Sequence, residues 1–177
     1  MRLFKIFLGV VCSVLVAACG TVEPAQYADQ KPTLDLQQYF NGTLDAQGMF
    51  QDRSGKVIKR FAVVIVCSWK GNVGTFDEDF TYADGTRQKR VWTLRKVAAD
   101  RYTGSAADVI GEADGIVAGN ALRWKYVLAL PVDGKVVNVN FEDWMYLMDQ
   151  RVMLNRASVS KYGFHVGDVT LSFNKRL

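Results

Sequence analysis

Histidine occurs once in these 177 residues, and cysteine and proline three times each. The lone histidine, His165, has no second imidazole with which to share a metal. It also has no Gly-x-Ser-x-Gly elbow or other assembled Ser-His-Asp set to serve. No glycine-rich phosphate loop precedes a helix. No apolar run reaches the roughly 20 residues of a membrane-spanning helix, and no helical periodicity of useful length follows Phe40. The charge is close to balanced, with 22 basic and 18 acidic side chains, so nothing calls for nucleic acid or another polyanion. No enzymatic activity, cofactor or metal is expected from these shortages.

What is present begins with a secretory pattern. Arg2 and Lys5 make a basic start, Ile6 to Val16 is almost wholly apolar over about 11 residues, and Val16-Ala17-Ala18-Cys19 follows. A peptidase groove that admits only small side chains explains the alanines. A cysteine directly behind them resembles the lipobox of bacterial lipoproteins, in which the thiol takes diacylglycerol and the chain is cut in front of it. The expectation is a signal peptide over 1–18 and a lipid-anchored Cys19. Each buried methylene adds roughly 0.8 kcal/mol, so the acyl chains of such an anchor hold firmly. Gly20 stands where an aspartate would signal inner-membrane retention, so that resemblance implies the periplasmic face of the outer membrane. Removal of 18 of the 177 residues leaves 159, and 22 basic groups become 20 against 18 acidic. Cys12 leaves with the signal and Cys19 is modified, so Cys67 has no partner for an intramolecular disulfide and cannot close a metal site alone.

Residues 19–32, rich in small and polar groups with two prolines, read as a flexible lipidated tether. Thr33 to Phe40 reads as a short helix with Thr33 as N-cap, Gly42 as its stop, and Leu36, Tyr39 and Phe40 on one face. From there, short alternating segments are punctuated by Asp52-Arg53-Ser54-Gly55, Gly71-Asn72, Asp84-Gly85, Asp114-Gly115, Gly119-Asn120 and Asp133-Gly134. The spacing suits hairpins. The expected fold over 33–177 is all-β: a single antiparallel, up-and-down, lipocalin-like barrel of about nine or ten strands, closed because open apolar edges invite aggregation.

Several strands declare their faces. Phe61, Val63, Ile65, Cys67 and Trp69 alternate inward, with Cys67 as a small buried hydrophobe. Leu122, Trp124, Tyr126, Leu128 and Leu130 do the same. A two-residue turn at Asp133-Gly134 pairs Leu130 with Val137, Leu128 with Val139, Tyr126 with Phe141 and Trp124 with Asp143, and a slip by one would invert the second strand. The hairpin over 76–94 admits two registers. A two-residue turn at Asp84-Gly85 puts Phe80 opposite Lys89. A bulged three-residue turn, preferred because it gathers the aromatics, puts Phe76, Glu78 and Phe80 on the face of Leu94, Trp92 and Arg90 and sets Glu78 and Arg90 in the barrel mouth. Of Asp77, Glu78 and Asp79, alternation sends one inward. A turn at Asp149-Gln150 would pair Leu147 with Val152, Met145 with Leu154 and Asp143 with Arg156. That last pair has two readings: a buried ion pair that fixes register, or an arginine that holds a carboxylate or phosphate head while Trp92, Trp124, Tyr126 and Met145 line an acyl chain.

The stretches LDLQQYFNGTLDAQGMFQDRSGKVIKRF, RVWTL, GNALRWKYVLALPVDG and FEDWMYLMDQRVMLNRASVSKYGFHVGDVTLSFNK resemble, over nearly the whole mature chain, a family of small proteobacterial lipoproteins catalogued as a domain of unknown function. The resemblance assigns no activity. Members of the family that the chain resembles often sit near genes for fatty-acyl modification, such as cyclopropane synthases. LQQYFNGTLDAQG is also similar to the helix and first strand of lipocalins, although Leu44 stands where those carry tryptophan. The expected function is binding of a lipid or other apolar small molecule by a membrane-anchored barrel. The alternative is an envelope interaction protein with a filled barrel, its protein partner unspecified, and an enzyme acting on lipids ranks last.

Overall fold

The computed structural model describes residues 21–132 and 134–176. Cys19 and the apolar segment before it lie outside the described residues. Ten antiparallel strands form one closed, lipocalin-like barrel: β1 (Gly42–Asp52), β2 (Val57–Lys70), β3 (Val73–Tyr82), β4 (Arg87–Lys96), β5 (Arg101–Ser105), β6 (Val109–Ala118), β7 (Ala121–Val132), β8 (Lys135–Leu147), β9 (Val152–Lys161) and β10 (Phe164–Lys175). Each pairs with its sequence neighbours. β1 pairs with β10 from Leu44 opposite Lys175 to Asp52 opposite Gly167, so neither edge is left open.

Alternation does most of the folding. Val63, Ile65 and Cys67 of β2 are buried while the residues between them face solvent. The β7–β8 register is the expected one, with Leu130 opposite Val137 and Trp124 opposite Asp143. The β3–β4 turn is the three-residue form. Tyr82 and Thr86 flank it, Gly85 takes φ +83°, and the Asp84 carboxylate accepts the Thr86 backbone N–H at 2.9 Å. Trp92 therefore faces Phe76, and Arg90 faces Glu78.

One end of the barrel is closed by the chain that enters it. A single helical turn, α1 (Leu36–Tyr39), is capped by Asp35, not Thr33, whose carboxylate accepts the Gln38 N–H at 3.0 Å. Leu36, Tyr39 and Phe40 are buried beneath it. Phe40 stacks on Phe76 at 5.1 Å, and its carbonyl accepts the Trp69 indole N–H at 2.7 Å. The Tyr39 hydroxyl donates to the Arg151 carbonyl at 3.0 Å. The opposite end carries the β1–β2, β3–β4, β7–β8 and β9–β10 turns and is the mouth.

The segment expected to be a flexible tether is docked from Glu23 onward. Pro24–Tyr27 forms a 3-10 turn with Pro24 buried. Glu23 meets Arg123 at 2.7 Å, and the Tyr27 ring packs 5.6 Å from Trp144 and 5.3 Å from Tyr146. The Leu34 N–H donates to the Gly119 carbonyl at 2.8 Å. Gly119 has φ +54°, and a Cβ there would fall 1.7 Å from the Tyr27 carbonyl oxygen, so only glycine lets the segment lie this close. The outward aromatics of β8 supply the surface that makes docking worthwhile.

The β8–β9 turn departs from expectation. The Asp149 carboxylate accepts backbone N–H groups of both Arg151 and Val152, each at 2.7 Å. The Met148 N–H donates to the Val152 carbonyl at 2.9 Å. These bonds stabilise a three-residue turn over 149–151. Leu147 consequently faces Met153, Met145 faces Asn155, and Asp143 faces Ala157. That one-residue change inverts β9 relative to the expected register.

Candidate functional site

The barrel encloses a cavity of about 500 Å³, so it is not the filled barrel of the alternative reading. Leu36, Phe40, Ile65, Phe76 and Leu94 line its closed end, and Phe50, Phe61, Phe80, Tyr82, Leu130 and Val166 line the approach from the mouth. Of the six residues expected to form a binding surface, Trp92, Trp124, Tyr126, Asp143 and Met145 line this cavity. Arg156 does not. Its side chain is 73% exposed on the outer wall, 3.7 Å from Asp168, so there is no Asp143–Arg156 pair. Asn155 takes the inward place and is buried.

Two glycines seat the central tryptophan. A Cβ at Gly115 would lie 2.3 Å from the Trp124 ring, and one at Gly104 would lie 2.5 Å from it. The indole thus lies flat on the bare backbone of β5 and β6, as strand glycines permit. Trp92 meets it edge-on at 5.9 Å and meets Tyr126 edge-on at 5.3 Å. Tyr126 stacks on Phe141 at 5.0 Å. The aromatic groups are fixed on strands, and the space between them is the cavity.

A band of polar groups crosses this apolar lumen. Glu78 on β3 sits 3.8 Å from Arg90 on β4. Because β5 ends at Ser105, β4 pairs with it only from Thr93 to Lys96, and Arg90 lies beyond the last pair. Arg90 bridges that gap to the β5–β6 loop. Its Nε donates to Asp108 at 3.0 and 3.1 Å, and its Nη2 donates at 2.7 Å. Burial opposes the Arg90 charge, but the hydrogen bonds to Asp108 and the charge of Glu78 outweigh it and raise its pKa. Burial pushes Glu78 up to about 7, against the pull of Arg90. Asp143 is likewise raised to about 7 by burial, with Tyr126 nearby favouring the ionised form and Glu78 opposing it. Oδ1 of Asp143 and Oδ1 of Asn155 are buried without a hydrogen-bond partner among the described residues.

The remaining candidates for chemistry are peripheral. Burial raises the Cys67 thiol to about 12, so it is an inert hydrophobe at neutral pH. His165 lies in β10, half-exposed on the outer wall with Nε2 3.2 Å from Asp168. Among the described residues, no group of three or more His, Cys, Asp or Glu side chains is placed to hold a metal ion.

A family model described as a protein of unknown function, DUF3833, matches residues 13–175. The chain belongs to that family. No curated protein matches this DUF3833 chain. Among solved structures it resembles an S-type phycobiliprotein lyase, CPES, from Guillardia theta, with a TM-score of 0.58 and 6% identity over 79% of this chain and 90% of that one. A protein of unknown function from the DUF3598 family of Nostoc punctiforme aligns with a TM-score of 0.58 and 7% identity over 83% of this chain. The alignment spans only 51% of that protein. At such identities the likeness is one of fold.

Proposed function

We propose that this DUF3833 protein binds an elongated, mainly apolar small molecule, a lipid in the first instance, inside its barrel, and is held at the outer membrane by lipid on Cys19. The observation that carries the reading is the cavity of about 500 Å³. Its walls are aromatic and aliphatic, with few polar groups, as pockets for apolar ligands are. The rigidity of the lining supports it too, since Trp92, Trp124 and Tyr126 all project from paired strands.

Anchoring at Cys19 has a structural corollary. Docking begins at Glu23, so only residues 20–22 separate the anchor from the barrel wall, a reach of about 10 Å. Such an anchor would hold the β6–β8 wall close to the bilayer, not on a long leash. Native mass spectrometry of the full chain released from membranes, followed by lipid extraction, tests the binding. Stoichiometric lipid is expected. A protein that co-purifies with no apolar molecule and takes up none of a panel of diacyl and monoacyl lipids would defeat the reading.

A second reading, catalysis on a molecule held in the same cavity, is favoured by one observation. Glu78 and Asp143 are two carboxyls held near 7 across an apolar lumen, the range in which a carboxyl serves as general acid or base.

A further inference from the structure

We propose that the cavity selects a molecule with an apolar body and a hydrogen-bond-donating head, an amine or alcohol in its chemistry, seated head-first on Asp143 and Asn155. This rests on the small-molecule reading and narrows it. Oδ1 of each of these two residues is buried and unpartnered among the described residues. Asp143 faces Ala157 and Asn155 faces Met145, which makes the pair diagonal neighbours on β8 and β9, close enough for one head group to reach both. A buried acceptor without a donor is costly, and a ligand donor removes that cost.

Among the described residues, no free cation for a carboxylate head lies at this level of the cavity. The Arg90 guanidinium is engaged, with Nε and Nη2 on Asp108 and Nη1 directed at Glu78. Lys59 lies at the lip, its ammonium 5.2 Å above the Tyr82 ring. The groups facing Asp143 are Glu78 from β3, Arg90 from β4 and Tyr126 from β7, with neutral Asn155 on β9: Asp143 and Glu78 share a guanidinium already engaged by Asp108. An anionic head seated there would meet uncompensated negative charge, whereas an ammonium or hydroxyl would complete the set. The Tyr126–Phe141 stack, Phe80 and Leu130 on the mouth side supply the surface for the apolar body.

The test uses the full chain, stripped of bound lipid, and three water-soluble probes of one chain length: octylamine, 1-octanol and octanoate. Binding is followed at pH 8 by saturation-transfer NMR and by cavity tryptophan fluorescence. Octylamine is expected to bind at least tenfold tighter than octanoate, with octanol also ahead of octanoate. In Asp143→Asn, the amine-to-octanoate ratio is expected to fall below threefold while octanol binding changes less than threefold. Octanoate binding as tightly as octylamine in the unaltered protein, or a ratio unmoved by the substitution, overturns the donor-head proposal and leaves the small-molecule reading standing. Failure of all three probes to bind overturns both.

Discussion

Replacing Asp143 by asparagine removes one buried ionisable group while keeping the side chain's shape, and its effect on stability is calculable from the structure. Asp143 titrates near 3.8 in an unfolded chain and near 7 in the folded one. Between those values the folded protein binds the extra proton, so folding is most favourable below pH 4, loses stability as pH rises through the window, and stays at the lower level above 7. At roughly 1.4 kcal/mol per pH unit, the upper limit is about 4 kcal/mol at pH 8. Water reaching the cavity through the mouth screens part of this, leaving an expected share of about 2 kcal/mol. The variant cannot ionise there. Its stability should match that of the parent within about 1 kcal/mol at pH 4 and exceed it by about 2 kcal/mol at pH 8. Thermal melts of lipid-stripped protein would show this as a gain of about 6 °C at pH 8. Glu78, raised from 4.5 to about 7, titrates in both proteins, and because its charge opposes that of Asp143 the difference between the two curves includes the loss of their mutual repulsion. Parallel curves from pH 4 to 8 would refute the placement of a charged Asp143 in a desolvated cavity.

Gly115→Ala puts a methyl group 2.3 Å from the Trp124 ring and should cost about 2–3 kcal/mol of overpacking in urea denaturation, with a change in tryptophan fluorescence. Arg156→Ala removes only an exposed contact to Asp168 and should alter stability by less than about 0.5 kcal/mol; a loss of several kcal/mol would restore the inward arginine. Arg90→Ala strips Glu78 and Asp108 of their cation and should destabilise by about 3 kcal/mol at pH 8, less at pH 5, where Glu78 is protonated. Cys19→Ser should leave an uncut precursor at the inner membrane by immunoblot of fractionated cells, and normal maturation would overturn the anchor.

The barrel was legible because its strands are half-buried and regularly punctuated. Alternation in β2 and β7 fixes which side chains enter the core, and glycine-containing turns at Asp84-Gly85 and Asp133-Gly134 leave few registers that keep both faces consistent. The docked segment was not legible. Residues 23–33 carry no periodicity, and what holds them is the outer surface of the barrel: Trp144, Tyr146, Arg123 and the bare backbone at Gly119. Those partners are distant in sequence and come together only once β6, β7 and β8 are assembled. Gly104 and Gly115 did carry a usable signal, since glycine inside a strand marks close approach of another group, but its occupant, Trp124, is a tertiary fact.

The chemistry of the cavity turns on a single residue of loop length. With a two-residue turn at 149–150, Arg156 would point inward and the lumen would hold a cation suited to an acidic head group. The Asp149 carboxylate, by capping two backbone N–H groups at 2.7 Å, favours three residues, and every side chain of β9 changes sides. Arg156 goes to solvent, Asn155 comes in, and Asp143 loses the partner that would have neutralised it. An aspartate two or three residues before a strand is a common turn former, so the signal was present, but a turn without glycine admits both lengths and local sequence does not choose between them. The inward pattern Met153, Asn155, Ala157, Val159 is also no less apolar than the outward set it displaces, apart from one asparagine. That asparagine is the informative residue: a polar side chain at a core position, beside a carboxyl whose Oδ1 also lacks a partner among the described residues, is costly to fold, and the proposed ligand donor would offset the cost of both.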